Sequence, residues 1–345
     1  MNLLLDTVRD ILAAHPPFVL TPDRPWDEGL WAALVDTGLT GIGVPEETGG
    51  SGGEPADALA VVGAVAAGAG AVPLAEHLLA AAALCASDLP VPAGPLTLAL
   101  DGDVRAEPSD DGDGPGRWTL EGVAVDVGWA GVAEHVAVLA APPAGIAGAV
   151  LALVEVTGGT ASWSAPATNL AGEPRGTLHL RAAPAVGALL PTPDQLRARF
   201  ALARAVQLSA ALQEILATTV RYAGERQQFG RPLAKFQAVQ MELAAMAGEV
   251  TAVAALVDAA IGSSEVLAGA AKLRAGSAVA VVARLAHQVH GAIGFTQEFG
   301  LHHLTRRCWS WRDDAGGEAS WAPRLGAALL ADGPDQLWAT LTRLG

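Results

Sequence analysis

Cysteine and aromatic residues are both scarce in this sequence of 345 residues. Its two cysteines, Cys85 and Cys308, are too few for a disulfide framework and suit a reducing compartment. Aromatic residues make up 5% of the chain although 51% of it is hydrophobic, mainly Ala, Val and Leu. This composition favours helix-rich packing with small contacts between helices. A charged fraction of 17% is also far from that of a disordered chain.

Positive charge is scarce as well, because 21 Lys and Arg face 36 Asp and Glu and leave a formal net charge of −15. This balance argues against a nucleic-acid partner, which needs clustered Lys and Arg to neutralise phosphates. Uninterrupted apolar runs of membrane-spanning length are missing, and residues 58–86 predict two buried helices instead. The first residues lack a basic segment and a cleavage signal, so we expect a cytoplasmic protein with no membrane partner.

The residue pattern changes twice along the chain. It is helical up to about residue 90, with a glycine-rich loop at 41–53. It then becomes extended, and Gly, Pro and Asp bound short runs at 96–100, 117–120, 135–140, 150–156 and 177–180. Such runs predict a small antiparallel barrel or sandwich.

Helical spacing returns at Thr192, where a hydroxyl, Pro193 and Gln195 form a capping-box start. Apolar positions keep the helical period over 192–222, 235–261 and 264–290, which predicts an antiparallel bundle. The order is therefore helices, a β unit, then helices.

Two local sequences stand out between these long helices. The first, RQQFGRPLAKFQAVQ at 226–240, places a guanidinium, an amide and an aromatic ring at a turn. The second, QVHGAIGF at 288–295, ends a helix in a glycine-rich turn. With GLTGIGVPEETGG at 38–50, they resemble acyl-CoA dehydrogenases in content, order and separation, and the resemblance spans nearly the whole chain.

The resemblance implies an α+β, mostly α fold with an amino-terminal helical domain, a middle β domain and a carboxy-terminal four-helix bundle. The corresponding boundaries are 1–91, 92–190 and 191–345. It also implies FAD, bound between two subunits with its adenosine diphosphate end against a bundle. The tail at 294–298 and the pair Arg306 and Arg307 resemble subunits of heteromeric dehydrogenases acting on bulky, often steroid-derived, acyl-CoA thioesters.

The cofactor contacts implied by the resemblance fall in the two local sequences. Arg226 matches the family arginine at the diphosphate, where a planar guanidinium suits paired phosphate oxygens. The remaining matched positions are Gln228, Phe229, Leu233 and Phe236 at the adenine and ribose end, and Gln288 and Gly291 in the second local sequence. The structural alternative for Arg226 is a salt bridge with Glu225 or Glu249.

Two parts of the family's site are missing. Residues 98–129 contain nothing like the segments that hold the flavin ring, and we expect Trp118 and Trp129 to be packing residues. Counting from Phe295 without a gap places the family's catalytic carboxylate at Ala315-Gly316, and its alternative location corresponds to 199–201. Glu318 is the best substitute, with Asp313 and Asp314 close by, although a solvated loop carboxylate is the alternative for Glu318.

Three weaker patterns point elsewhere. The string at 49–53 matches a hydrolase elbow but follows no apolar strand. His287, His290, His302 and His303 lack the Cys or carboxylate of a recognisable metal set, so no metal is expected. Residues 110–114 resemble half a calcium loop and predict a turn.

Two functions follow from these observations. The first is a subunit of an FAD-dependent acyl-CoA dehydrogenase that works with an acyl-CoA substrate, a paralogous subunit and an electron-transfer acceptor. The second is a non-catalytic scaffold or regulatory paralogue of an active subunit. The missing carboxylate leaves both open.

Overall fold

The computed structural model of the chain describes residues 3–109, 116–156, 159–164, 167–296, 299–331 and 333–343. The predicted turn at 110–114 and part of the 294–298 tail lie outside these residues. The helices are α1 Leu3–Ala14, α2 Glu28–Asp36, α3 Pro55–Ala67, α4 Leu74–Cys85, α5 Pro193–Glu225, α6 Gln237–Ala260, α7 Glu265–His290, α8 Leu301–Asp313, α9 Glu318–Leu330 and α10 Leu337–Arg343. The strands are β1 Leu96–Ala99, β2 Gly102–Pro108, β3 Arg117–Gly128, β4 His135–Ala140, β5 Ala149–Glu155, β6 Ala161–Trp163, β7 Ala167–Thr168, β8 Pro174–Leu190, β9 Gln227–Gln228 and β10 Arg231–Pro232.

The contacts within the chain group it into two units. One contains residues 1–17, 59–70 and 198–345, and the other contains residues 18–58 and 71–197. All five extended runs expected from the sequence are strands of the second unit, and all three long helical patterns are α5, α6 and α7. Residues 58–86 form the predicted pair of helices, α3 and α4.

The second unit is built on an eight-stranded sheet in the order β1-β4-β5-β8-β3-β2, with β6 and β7 also paired to β8. Every pair is antiparallel except β1 with β4, which run parallel with Leu96 opposite His135. The all-antiparallel expectation is wrong at this pair, because β2 and β3 intervene and give the chain the length that a parallel connection needs. Leu120, Leu178 and Leu180 are fully buried in the core beneath the sheet.

A buried histidine ties the glycine-rich loop to this unit. His77 on α4 donates from Nε2 to the Thr40 carbonyl (3.0 Å), and its Nδ1 accepts from the Leu96 N–H (3.2 Å). Burial lowers the pKa of His77 to about 4, so the ring is neutral at pH 7. Loop residue Ser51 donates from Oγ to the Gly38 carbonyl (2.7 Å), which closes the loop on itself.

The first unit is a helical bundle whose core consists largely of Ala, Val and Leu from α5, α6, α7 and α8. Small residues let these helices approach closely. A Cβ added to Gly269 on α7 would lie 2.4 Å from the Trp321 ring of α9. Trp321 therefore packs on a position that only Gly can occupy without displacement.

By length and composition alone, three helical segments could cross a membrane: Pro193–Glu225, Gln237–Ala260 and Glu265–Phe295. Most of the apolar window is buried inside the protein in the first and the third. In the second only 28% of that window is buried, so α6 presents an apolar face to solvent.

Candidate functional site

A tight β-hairpin follows α5 directly. Gln228 pairs with Arg231 and Gln227 with Pro232 across the two short strands. Directly opposite residues share one face of a hairpin, and neighbouring residues in a strand alternate between faces. Gln228 and Arg231 therefore lie on the same face, and the same alternation assigns Arg226 to it.

The hairpin turn consists of Phe229 and Gly230, which both have positive φ, 51° and 79°. Such a two-residue turn is the common connection of a tight hairpin, but its first position usually carries Asn, Asp or Gly. Phe229 is nevertheless 92% exposed. An exposed apolar ring held in a left-handed backbone conformation makes Phe229 a candidate ligand contact.

Phe236 supports the hairpin from below. The Arg231 guanidinium lies 4.1 Å from the centre of its ring, and the exposed Phe229 ring meets it edge-on at 6.2 Å. Leu233 is half-buried beside it, and the Leu233 N–H donates to the Arg226 carbonyl (2.9 Å). These contacts gather five residues predicted from the sequence into one small structure.

Arg226 is exposed and makes no ion pair among the residues that the structure describes. The alternative of a salt bridge with Glu249 is wrong, since Glu249 accepts from Arg274 at 2.8 Å. Glu225 forms no such bridge either within the described part of the chain. The guanidinium is therefore available to an anion from outside the chain.

The second local sequence, residues 288–295, lies at the carboxyl end of α7. Gln288 is exposed there, and Gly291 has φ 63° and ψ −143°, a conformation open essentially to Gly. Space around its Cα is open, so the backbone angle and not crowding requires the glycine. The Gly291 N–H donates to the His287 carbonyl and caps the helix, so backbone donors for a ligand must come from the following residues.

The histidines of this region are packing residues. His290 is buried, donates from Nδ1 to the Ala286 carbonyl (2.7 Å) and stacks on Tyr222 at 4.4 Å. His287 shares a hydrogen bond with Thr305 (3.1 Å) and stacks on Phe295. Burial lowers the pKa of both rings, and within the described residues no group of three or more ligands could hold a metal.

The turn between α8 and α9 is held from several sides. Buried Lys272 donates from Nζ to the carbonyls of Arg312 (2.6 Å) and Gly316 (2.9 Å). The Trp321 indole N–H donates to the Ala315 carbonyl (2.9 Å), and Ala315 itself has φ 57°. The turn is therefore fixed by contacts that do not involve the Ala315 side chain.

An internal ion pair also holds the turn between α8 and α9. Arg204 of α5 lies 3.1 Å from Asp314, and both side chains are almost fully buried. Burial lowers the pKa of Lys272 to about 8, against the attraction of Asp314. Opposite charges thus occur together in the bundle interior, which is what a buried charge requires.

Glu318, at the first turn of α9, accepts from the Arg312 Nε at 2.8 Å. Burial alone would raise the pKa of this carboxyl, but the Arg312 hydrogen bond and the nearby positive charges lower it below its usual value. A carboxylate stabilised in its charged form is a weaker proton acceptor. The catalytic role of Glu318 stays an untested hypothesis, and its ion pair with Arg312 favours a structural role.

Known proteins resemble this chain in both sequence and fold. The family models described as acyl-CoA dehydrogenase, N-terminal domain and C-terminal domain match residues 2–88 and 196–312. The chain is 29% identical over 313 residues to acyl-CoA dehydrogenase IpdE2 of Mycobacterium tuberculosis, covering 89% of this chain and 90% of that protein.

Two solved structures show the same fold. The ChsE4-ChsE5 complex from Mycobacterium tuberculosis contains a chain that is 26% identical, with a TM-score of 0.83 and coverage of 96% of this chain and 97% of the other. The Tcur3481-Tcur3483 steroid ACAD G363A variant matches at 26% identity and a TM-score of 0.82, covering 95% and 97%. The chain belongs to the acyl-CoA dehydrogenase family. It is thereby placed among oxidoreductases that act on CH–CH groups.

Both positions at which the acyl-CoA dehydrogenase pattern has its catalytic carboxylate lack an acidic residue in this chain. Ala315 lies where the residue count from Phe295 places the carboxylate, and at the alternative location Ala201 is fully buried in α5. The second unit supplies packing where the pattern has ring contacts: Trp129 is buried, and Trp118 donates to the Gly187 carbonyl (3.0 Å). The string at 49–53 follows a short 3-10 turn and does not form the strand-to-helix elbow of a hydrolase.

Sequence reasoning missed two residues near these features. Arg231 joins the Arg226 face only through the cross-strand register. Lys272 holds a turn 40 and 44 residues further along the chain. Gly230 at the second turn position was the available signal for the first; nothing in the local sequence signals the second.

Proposed function

We propose that this chain is one subunit of an FAD-dependent acyl-CoA dehydrogenase that introduces an α,β double bond into an acyl-CoA thioester. Electrons then pass to an electron-transfer acceptor. The observation that carries the proposal is Phe229, exposed and left-handed on a hairpin beside the unpaired Arg226. Left-handed backbone costs a non-glycine residue about 1–2 kcal/mol, and a bound adenosine group would offset that cost.

The residues present fit the adenosine diphosphate end of FAD. Arg226 offers paired N–H donors to phosphate oxygens, and Phe229, Leu233 and Phe236 offer apolar surface to adenine and ribose. Gln228 and Gln288 add polar contacts, and the turn that begins at Gly291 adds backbone N–H donors from the residues after Gly291. When bound, the flavin supplies the hydride acceptor, while a carboxylate must take the α-proton.

A partner chain would supply the remaining half of the site. Both sequence locations of the base lack acid here, and the strands of the second unit lack the ring-binding segments. The similarity to a chain of the ChsE4-ChsE5 complex supports a paralogous partner. The similarity to the Tcur3481-Tcur3483 steroid ACAD supports a bulky, steroid-derived acyl group as substrate.

Co-expression tests this function. The full chain expressed alone should be colourless and inactive, whereas co-expression with a paralogous subunit that carries the base should give a yellow heterotetramer that oxidises acyl-CoA. Absorbance near the flavin band, light scattering and turnover measure the three properties. A homotetramer of this chain alone that carries FAD and oxidises acyl-CoA would overturn the two-chain arrangement.

The missing carboxylate favours a second function, that of a non-catalytic scaffold or regulatory paralogue. The two functions differ in what the hairpin does. If the complex keeps its flavin and turnover after Arg226→Ala and Phe229→Ala, this chain contributes no cofactor contact and the scaffold function holds.

A further inference from the structure

Arg231 shares the hairpin face with Arg226 and Gln228, and no role follows for it from the sequence alone. It pairs directly with Gln228 across the two strands, and Arg226 lies two residues before Gln228. The register therefore brings two guanidinium groups to one face within six residues of sequence. Like charges placed together repel each other unless an anion lies between them.

The Arg231 guanidinium is also held in place. It stacks over the Phe236 ring at 4.1 Å, and Phe236 is half-buried. Stacking on an aromatic face leaves the N–H donors at the edge of the guanidinium plane free to bind an oxyanion. The group is therefore oriented before a ligand arrives.

Neither arginine has a carboxylate partner within the described residues, although the chain carries 36 acidic residues. Other arginines in the described part of the chain do have one, among them Arg9, Arg105, Arg175, Arg197, Arg204, Arg274 and Arg312. Two unpaired guanidiniums on one face match the two negative charges of a diphosphate, one for each phosphoryl group.

We propose that Arg231 is a second diphosphate-binding residue, so that Arg226 and Arg231 together bind the two phosphoryl groups of an adenosine diphosphate moiety. This proposal rests on the proposed function. FAD and CoA both contain such a moiety, and the register assigns the chemistry to the hairpin. The position of Arg226 favours FAD as the molecule that carries this moiety.

The first experiment measures binding of ADP and AMP to the full chain by calorimetry at low ionic strength. The parent chain should bind ADP about tenfold or more tightly than AMP, as expected for one additional charge-assisted contact. Arg231→Gln should bring ADP to within about twofold of AMP, and Arg226→Gln should weaken ADP binding as well. Arg324→Gln is the matched control, because Arg324 is also an exposed arginine stacked on an aromatic ring, 5.3 Å from Trp321.

An ADP preference that survives Arg231→Gln would overturn the proposal and leave Arg231 as a stacking residue of the hairpin. Absence of ADP binding by the parent chain would also overturn it. Neither outcome contradicts the proposed function, because that function is tested by whether co-expression gives a yellow, active complex.

The second experiment identifies the source of the diphosphate in that complex. Lower FAD occupancy with an unchanged KM for acyl-CoA in Arg231→Gln assigns the site to FAD. A raised KM with full FAD occupancy assigns it to CoA. No change in either quantity, with the thermal midpoint also unchanged, contradicts a diphosphate role.

Discussion

Arg226 carries its charge in solvent, whereas Arg204, Arg274 and Arg312 are each held by a carboxylate. In a chain with a net charge of −15, an arginine without a partner is available for a ligand. Glu318 shows the opposite condition, since Arg312 and Lys272 already stabilise its charge. Pairing thus separates residues that can bind or react from residues that hold the fold.

Replacing Arg226 by Ala should weaken FAD retention in the assembled complex by about 1.5–3 kcal/mol, the range for a hydrogen bond to a charged group. Arg226→Lys should recover only part of this loss, because an ammonium group lacks the planar fork. Flavin release followed by fluorescence measures the effect. Unchanged flavin affinity in Arg226→Ala would remove Arg226 from the site.

Replacing Glu318 by Gln should leave turnover within a few-fold of the parent complex and lower stability by about 0.5–1 kcal/mol, since it breaks a partly exposed ion pair. Asp313→Asn removes a neighbouring exposed carboxylate and serves as the control. Turnover and the thermal midpoint are measured on the same sample. Abolished turnover with flavin content and stability intact would instead identify Glu318 as the base.

The sequence could predict the hairpin residues because their interactions are local. Arg226, Phe229 and Phe236 lie within eleven consecutive residues, and the turn itself brings them together. Arg231 needed the strand register, which a periodicity pattern does not fix. Lys272 and Arg204 bind a turn in another helix pair, and only tertiary packing reveals such contacts.

At the scale of elements, the hairpin and the α8–α9 turn use left-handed residues in different settings. Phe229 is exposed in the hairpin, whereas Ala315 lies in a turn held by Lys272, Arg204 and Trp321. In the hairpin the two-residue turn imposes the conformation, and the exposed ring contributes only an edge contact with Phe236 in return. In the turn, buried hydrogen bonds impose it.

Phe229→Gly should therefore leave the free energy of unfolding unchanged or raise it by up to about 1 kcal/mol, because Gly relieves the left-handed strain. The same change should lower FAD retention in the complex, because the ring is lost. Phe229→Ala separates the two effects: it should lose as much flavin as Phe229→Gly without gaining stability. Flavin retention equal to that of the parent in both variants would contradict a binding role.

Lys272 makes the stability of the bundle depend on pH. Its folded-state pKa, about 8, lies below its ordinary value of 10.5, so the unfolded chain binds more protons between these limits. This group therefore makes the free energy of unfolding rise from about pH 8 to about pH 10.5, by a few kcal/mol at most. Lys272→Met should flatten that rise in denaturant titrations; an identical pH profile in the two proteins would exclude the effect.

At the scale of the whole molecule, the order of helices, strands and helices follows from the sequence because the hydrophobic period changes from 3.6 to 2 and back. The long helices agree with their predicted spans to within a few residues for the same reason. The pairing of β1 with β4 could not be read in this way. β1 is buried along its whole length, so its own pattern does not show which strand becomes its neighbour.

The turn between α8 and α9, which contains Ala315, also bears on how chains of this family diverge. Hydrogen bonds from Lys272 and Trp321 and the ion pair of Arg204 hold the turn in its shape. None of these contacts involves the Ala315 side chain. A gene copy can therefore exchange the residue at position 315 by a single substitution while the turn keeps its course. Duplication followed by one such exchange would give a stable chain that depends on the unchanged copy for its catalytic base.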